Sequence, residues 1–132
     1  MKITVDTNIL VRAVVRDDIK QAVTATRLLK NAEIIAIPLP CLCEFVWVLR
    51  RVYGLGEKDI HAALQALLNT GNVAVNRPAV EAGLATLDAG GDFADGLTAF
   101  EGQWLGGETF VSFDKKAVAL LERQGQAARV PV

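Results

Sequence analysis

Five acidic side chains stand where this chain has the means to do chemistry with them. Asp6 closes the β-branched run Ile3-Thr4-Val5 and is followed by Thr7-Asn8 and a fresh apolar pattern, so it sits where a buried strand hands over to a helix. Asp114 repeats that order after Thr109-Phe-Val-Ser-Phe113, with Lys115-Lys116 and the apolar stripe Ala117, Leu120 and Leu121 behind it. Asp92 and Asp95 follow Gly90-Gly91 and open the pattern Leu97, Phe100, Trp104. Glu44 is the only charge in residues 41–49. In parallel α/β sheets, ligands bind at the carboxyl ends of the strands. Carboxylates gathered at such an edge raise one another's pKa unless a cation sits among them. All-oxygen ligand sets suit hard Mg²⁺ or Mn²⁺. A site of that kind can position and activate a water for phosphodiester cleavage.

Each acid also has a purely structural reading. Asp6 fits a helix N-cap. Asp92 fits the N-cap of the next acidic helix and Asp95 its first turn, where the macrodipole favours an acid by ~0.3–1 kcal/mol. Glu44 is different. A helix as apolar as 41–49 is expected to be buried on all sides, and a lone buried carboxylate costs several kcal/mol. The residues three and four positions away are Pro40, Cys41, Trp47 and Val48, so no local ion pair is available. A distant Arg or a metal ion is left to balance it.

The elements that position these residues follow from the apolar pattern. Short strands are expected at 3–5, 34–37, 73–75 and 109–113, with a last edge strand at 128–130. Helices lie between them. Ile19, Ala22, Val23, Thr26 and Leu29 form the apolar face of the second helix; Ile60, Ala63, Leu64, Leu67 and Leu68 form that of the fourth. Pro40 and Pro78 each suit a helix start. Gly96 is a poor helix former by ~1 kcal/mol and is expected to mark close packing. The alternation predicts an α/β fold with a central, mostly parallel sheet of four to five short strands covered by helices on both faces. No linker or repeat interrupts it, so residues 1–132 are expected to form a single domain.

Composition narrows the function classes. The chain has 132 residues, of which 52% are hydrophobic, with a mean hydropathy of +0.30, the profile of a core-rich globular domain. No apolar run approaches the ~20 residues of a membrane span. The first residues lack the apolar segment of a signal peptide, so a cytoplasmic protein is expected. Cys41 and Cys43, two apart in an apolar run, read as reduced core residues. His61, the lone histidine, reads as a surface residue of an amphipathic helix. The net charge of −1 speaks against a generic basic nucleic-acid binder. The charge is uneven, however: residues 1–31 carry +3, residues 32–107 carry −5 and residues 108–132 carry +1. A basic rim beside an acidic centre is compatible with that distribution.

The residues Val5-Asp6-Thr7-Asn8-Ile9-Leu10, Glu44 in an apolar helix, Gly91-Asp92-Phe93-Ala94-Asp95 and Phe113-Asp114 after a strand resemble the motifs of a PIN domain, in family order. The resemblance is closer still to the VapC-type toxin ribonucleases of toxin–antitoxin pairs. It implies a PIN-like three-layer fold and a Mg²⁺- or Mn²⁺-dependent endoribonuclease. It assigns Asp6, Glu44, Asp95 and Asp114 as metal-binding, catalytic acids, with Thr7 or Asn8, and Ser112, orienting them. Asp92 is either an accessory ligand or an N-cap. Arg12, Arg77, Lys115 and Lys116 are candidates to hold the RNA backbone. The resemblance further implies a cognate antitoxin protein that masks the site with a basic side chain, and a homodimer. Ser112 stands where the family often has Thr, and Gly96 where it often has Ala. Two other functions compete: a non-toxin PIN nuclease of RNA processing or of DNA flaps, and a catalytically silent acidic docking domain. The short chain favours the toxin over the first, and the intact acid set disfavours the second.

Overall fold

A computed structural model describes residues 1–132. The chain divides into two compact units, Met1–Asn76 and Arg77–Val132. The first unit holds β1 (Lys2–Thr4), α1 (Thr7–Val14), α2 (Ile19–Asn31), β2 (Ile34–Ala36), α3 (Leu39–Arg51), α4 (Glu57–Leu68) and β3 (Val73–Ala74). The second holds α5 (Arg77–Asp88), α6 (Phe93–Trp104), β4 (Phe110–Val111), α7 (Lys115–Arg123) and β5 (Ala128–Arg129). No helix is long and apolar enough to cross a membrane.

The strands are all parallel, as alternation with helices requires. They pair as a three-stranded sheet, β1-β2-β3, and a two-stranded one, β4-β5. Ile35 anchors the first sheet: it pairs with Ile3 on one side and Val73 on the other, and its side chain is buried. Phe45, Leu42 and Leu49 of α3, Leu10 of α1, and Ile60 and Leu64 of α4 supply large core side chains of this unit. Each contributes about 1.5–3 kcal/mol by leaving water.

Two expectations from periodicity need correction. In α2 the buried residues are Ala22 and Ala25, while Ile19 and Val23 of the expected apolar face are exposed. The helix packs through its small residues, which let α1 and α2 approach, and not through its largest ones. The strand expected at 109–113 shrinks to Phe110–Val111. Phe113 is 83% exposed, because the ladder to β5 covers only Phe110↔Ala128 and Val111↔Arg129. High β-propensity there finds no partner strand to extend it.

In the second unit, α5 and α6 pack closely. Gly96 of α6 explains the approach: a Cβ there would lie 2.6 Å from Thr86 Cβ and 2.9 Å from the Ala82 carbonyl oxygen. The Thr86 hydroxyl is within 3.2 Å of both the Ala82 carbonyl and Gln124 Oε1, so it is held in place. The expected result for Gly96→Ala is therefore a loss of stability despite the better helix former. Overpacking of about 1–3 kcal/mol outweighs the ~1 kcal/mol of propensity. A thermal melt should fall by several degrees, and a rise would show that the helices separate freely.

Candidate functional site

In the first unit, β1 delivers the chain to Asp6, which is the N-cap of α1: its Oδ1 accepts from the Ile9 amide at 3.2 Å. The structural reading of Asp6 is thus correct, yet the bond uses one carboxylate oxygen and leaves Oδ2 free of it. Thr7 is buried and its hydroxyl points to Cys41 Sγ at 3.9 Å. Asn8 is exposed. Pro38 is the N-cap position of α3, and Glu44 lies on the second turn of that helix. Asp6, Thr7, Asn8, Pro38, Pro40, Cys41 and Glu44 line one cleft of about 340 Å³. No Lys or Arg is among them.

Glu44 is not buried, contrary to expectation; it is exposed, and Trp47 on the same helix is 57% exposed. The core of α3 is Cys41, Leu42, Phe45, Val46 and Leu49, a stripe and not a full cylinder. Glu44 therefore carries no cost of burying a lone carboxylate. What marks Glu44 instead is that it opens into the same cleft as Asp6.

Cys41, read from sequence as a core residue, proves to be part of that cleft. Burial pushes its thiol pKa up; against this the Thr7 hydroxyl bond lowers it, and the charges of Asp6 and Glu44 raise it further. Cys43 is half-buried and both thiols are free of disulfides. A thiol titration with a maleimide at neutral pH should accordingly show Cys41 reacting only slowly before denaturation, since the thiolate is the nucleophile. Fast labelling of Cys41, located by peptide mapping, would contradict this.

In the second unit, Asp92 is the N-cap of α6, with Oδ1 accepting from the Asp95 amide at 3.0 Å. Asp114 is the N-cap of α7, its Oδ1 accepting from the Lys116 and Ala117 amides at 3.0 Å each. The Ser112 hydroxyl accepts from the Asp114 amide at 3.0 Å, so it fixes the backbone of Asp114 and not its carboxylate. Asp95 stands apart. It is half-buried in the first turn of α6 and caps nothing, because Asp92 does that. Burial raises its pKa, and the charges of Asp92 and Asp114 raise it further. A carboxylate placed against two others is destabilised in its charged form.

Among the cationic candidates, Lys115 and Lys116 are exposed at the start of α7 and Arg77 is exposed at the start of α5. Arg12 is committed elsewhere: Nη1 lies 2.6 Å from Asp17 Oδ1 and 3.2 Å from the Tyr53 hydroxyl. The lone His61 lies in α4 and is half-buried.

A divalent ion fits the donor chemistry of both units. The Asp6–Glu44 cleft is lined by acids without a cation, and Asp95 is strained by like charges that a cation would relieve. In neither unit do three or more His, Cys, Asp or Glu side chains come close enough to hold a metal ion on their own.

Compared with known families, residues 3–122 match the model of the PIN domain. No curated protein matches the chain. PIN domains are in general metal-dependent nucleases that act on RNA.

Proposed function

Because the chain belongs to the PIN domain family, we propose that it is a Mg²⁺- or Mn²⁺-dependent endoribonuclease, the toxin of a VapC-type toxin–antitoxin pair. The observation that carries the nuclease reading is Asp95. It is a half-buried carboxylate with no capping task, held against Asp92 and Asp114 at a cost in its charged form. Acids perturbed by burial and like charges cluster at functional sites.

By the motif resemblance, Asp6 and Glu44 are the metal-binding acids of the first unit, and Asp95 and Asp114 are those of the second. Asp92 stays the N-cap of α6, with one carboxylate oxygen outside that bond. When bound, a hard divalent ion supplies charge to the scissile phosphate and lowers the pKa of a water. The remaining work falls to the chain. Asp6 and Asp114 are held by helix amides, so their free oxygens keep a fixed aim. Thr7 locks the start of α1 onto Cys41 of α3, which keeps Asp6 and Glu44 at one cleft. Ser112 sets the backbone of Asp114. Lys115, Lys116 and Arg77, all exposed, are the candidates to neutralise RNA phosphates. The toxin assignment, with its antitoxin partner, homodimer and cytoplasmic setting, rests on the motif resemblance; the family match supports the nuclease reading.

Purified protein should cleave RNA with Mn²⁺ or Mg²⁺ and lose that activity in excess EDTA. Equal cleavage in EDTA would exclude the metal-dependent reading. Co-purification with the product of a neighbouring small reading frame tests the toxin assignment separately.

A further inference from the structure

A second cleft of the first unit is larger than the one that holds Glu44. It has a volume of about 840 Å³, in the upper part of the ~300–1,000 Å³ span of ligand sites. It runs from Asp6 and Asn8 along α1 and α2 to Leu28. Asp6 and Asn8 line both clefts, so the two meet there. A chain bound beside Asp6 and Glu44 has this channel as its continuation.

The chemistry of the channel is that of a polyanion with sugar and base surfaces. From α2 it takes Lys20, Gln21 and Thr24, which occupy adjoining positions on one helix face. α2 contains Lys20, Arg27 and Lys30 and no Asp or Glu. Arg12, the other cation of the channel, is already paired with Asp17. Lys20 is exposed and takes part in neither ion pair of the structure, so its ammonium is the one cation lining the channel that no ion pair occupies. Ile9, Ala25 and Leu28 add apolar surface.

We propose that this channel is an RNA subsite, in which Lys20 neutralises a phosphate away from the scissile one while Gln21 and Thr24 hydrogen-bond ribose or phosphate oxygens. The inference rests on the nuclease reading for its ligand class. It adds that the enzyme holds substrate beyond the cleavage point, on the α1–α2 side of Asp6.

The test reads binding apart from cleavage. Anisotropy of a labelled single-stranded RNA of about ten nucleotides is followed in EDTA, from about 50 to 200 mM salt. Wild type is compared with Lys20→Glu, with Thr24→Trp, which fills the channel without changing charge, and with Lys30→Glu. Lys30 is on the same helix but does not line the channel, so it controls for net charge. Lys20→Glu and Thr24→Trp should each weaken binding about tenfold, and Lys20→Glu should reduce the salt slope by about one phosphate contact. Lys30→Glu should change affinity less than about threefold. With Mn²⁺, Lys20→Glu should raise KM on long RNA and leave kcat unchanged. Equal effects of Lys20→Glu and Lys30→Glu, or unchanged RNA affinity in Lys20→Glu and Thr24→Trp, overturn the subsite. The latter is the outcome expected if the channel takes a protein segment instead. No RNA binding by wild type overturns it too. Cleavage by wild type in Mn²⁺ with unaltered binding in the variants leaves the nuclease reading standing and removes the subsite alone. Binding that depends on Lys20 without any cleavage supports the subsite and removes the nuclease reading.

Discussion

Replacing Asp95 with Asn should raise the melting temperature of the metal-free protein and remove most of its response to Mn²⁺. The folded wild type holds the Asp95 carboxylate half-buried beside Asp92 and Asp114, with its pKa above the ordinary value. The unfolded chain does not, so at neutral pH the charge opposes folding. The direction with pH follows. The penalty is present in full above the folded pKa. It fades as pH falls through that pKa and is gone below the ordinary Asp value of about 3.9. The advantage of Asp95→Asn in metal-free protein should therefore shrink as the medium is acidified from neutral to below that value. With metal the order reverses. A ligand that binds only the folded state at 100 times its Kd adds about 2.7 kcal/mol, which for a chain of this length moves the melting point by roughly 10 °C. Wild type should show that shift and Asp95→Asn little of it. Scanning calorimetry of both proteins, with and without Mn²⁺, checks this. Matching metal shifts would show that Asp95 is not a ligand.

The second large effect is on turnover. Asp6→Asn, Asp114→Asn and Glu44→Gln should each lower cleavage of RNA by more than the roughly 10–100-fold that losing an outer partner of a metal site costs. Their stabilities should stay close to wild type. Asn caps a helix about as well as Asp, so the bonds to the Ile9, Lys116 and Ala117 amides survive. Glu44 is exposed, and surface substitutions are worth within about 0.5 kcal/mol. A variant that folds like wild type and cleaves at the wild-type rate removes that residue from the site.

The sequence was most informative where local rules decide the structure. Gly90-Gly91-Asp92 announced a helix start, and Asp92 caps it. Asp6 and Asp114 were legible for the same reason, since a small acid between a strand and a helix has few other places to be. The sequence was least informative where the answer lies in packing partners. The apolar run of α3 did not disclose that Trp47 and Glu44 share its open side, because hydrophobic content does not say which face a neighbour covers. In α2 the expected face shares Ala22 with the buried one but includes the exposed Ile19 and Val23, and alanine carries little signal of close approach. Gly96 pointed to tight packing, but nothing in the chain names Thr86 as the side chain that fills the space. The channel along α2 had one visible trace, a helix with three cations and no acids.

Three of the carboxylates, those of Asp6, Asp92 and Asp114, are tied by helix amides in the metal-free fold. Freezing a flexible side chain at a binding site ordinarily costs about 0.5–1.5 kcal/mol each. Here that ordering accompanies folding itself, so the rotamers are already chosen when a cation arrives. The ordering of these three side chains is then not a further cost of binding a cation. The arrangement also couples two kinds of failure. Truncating such a residue to Ala loosens a helix start by ~1 kcal/mol while deleting a donor oxygen, so inactive Ala variants at these positions report on folding as much as on chemistry. Asp95, which caps nothing, is the position where the two separate.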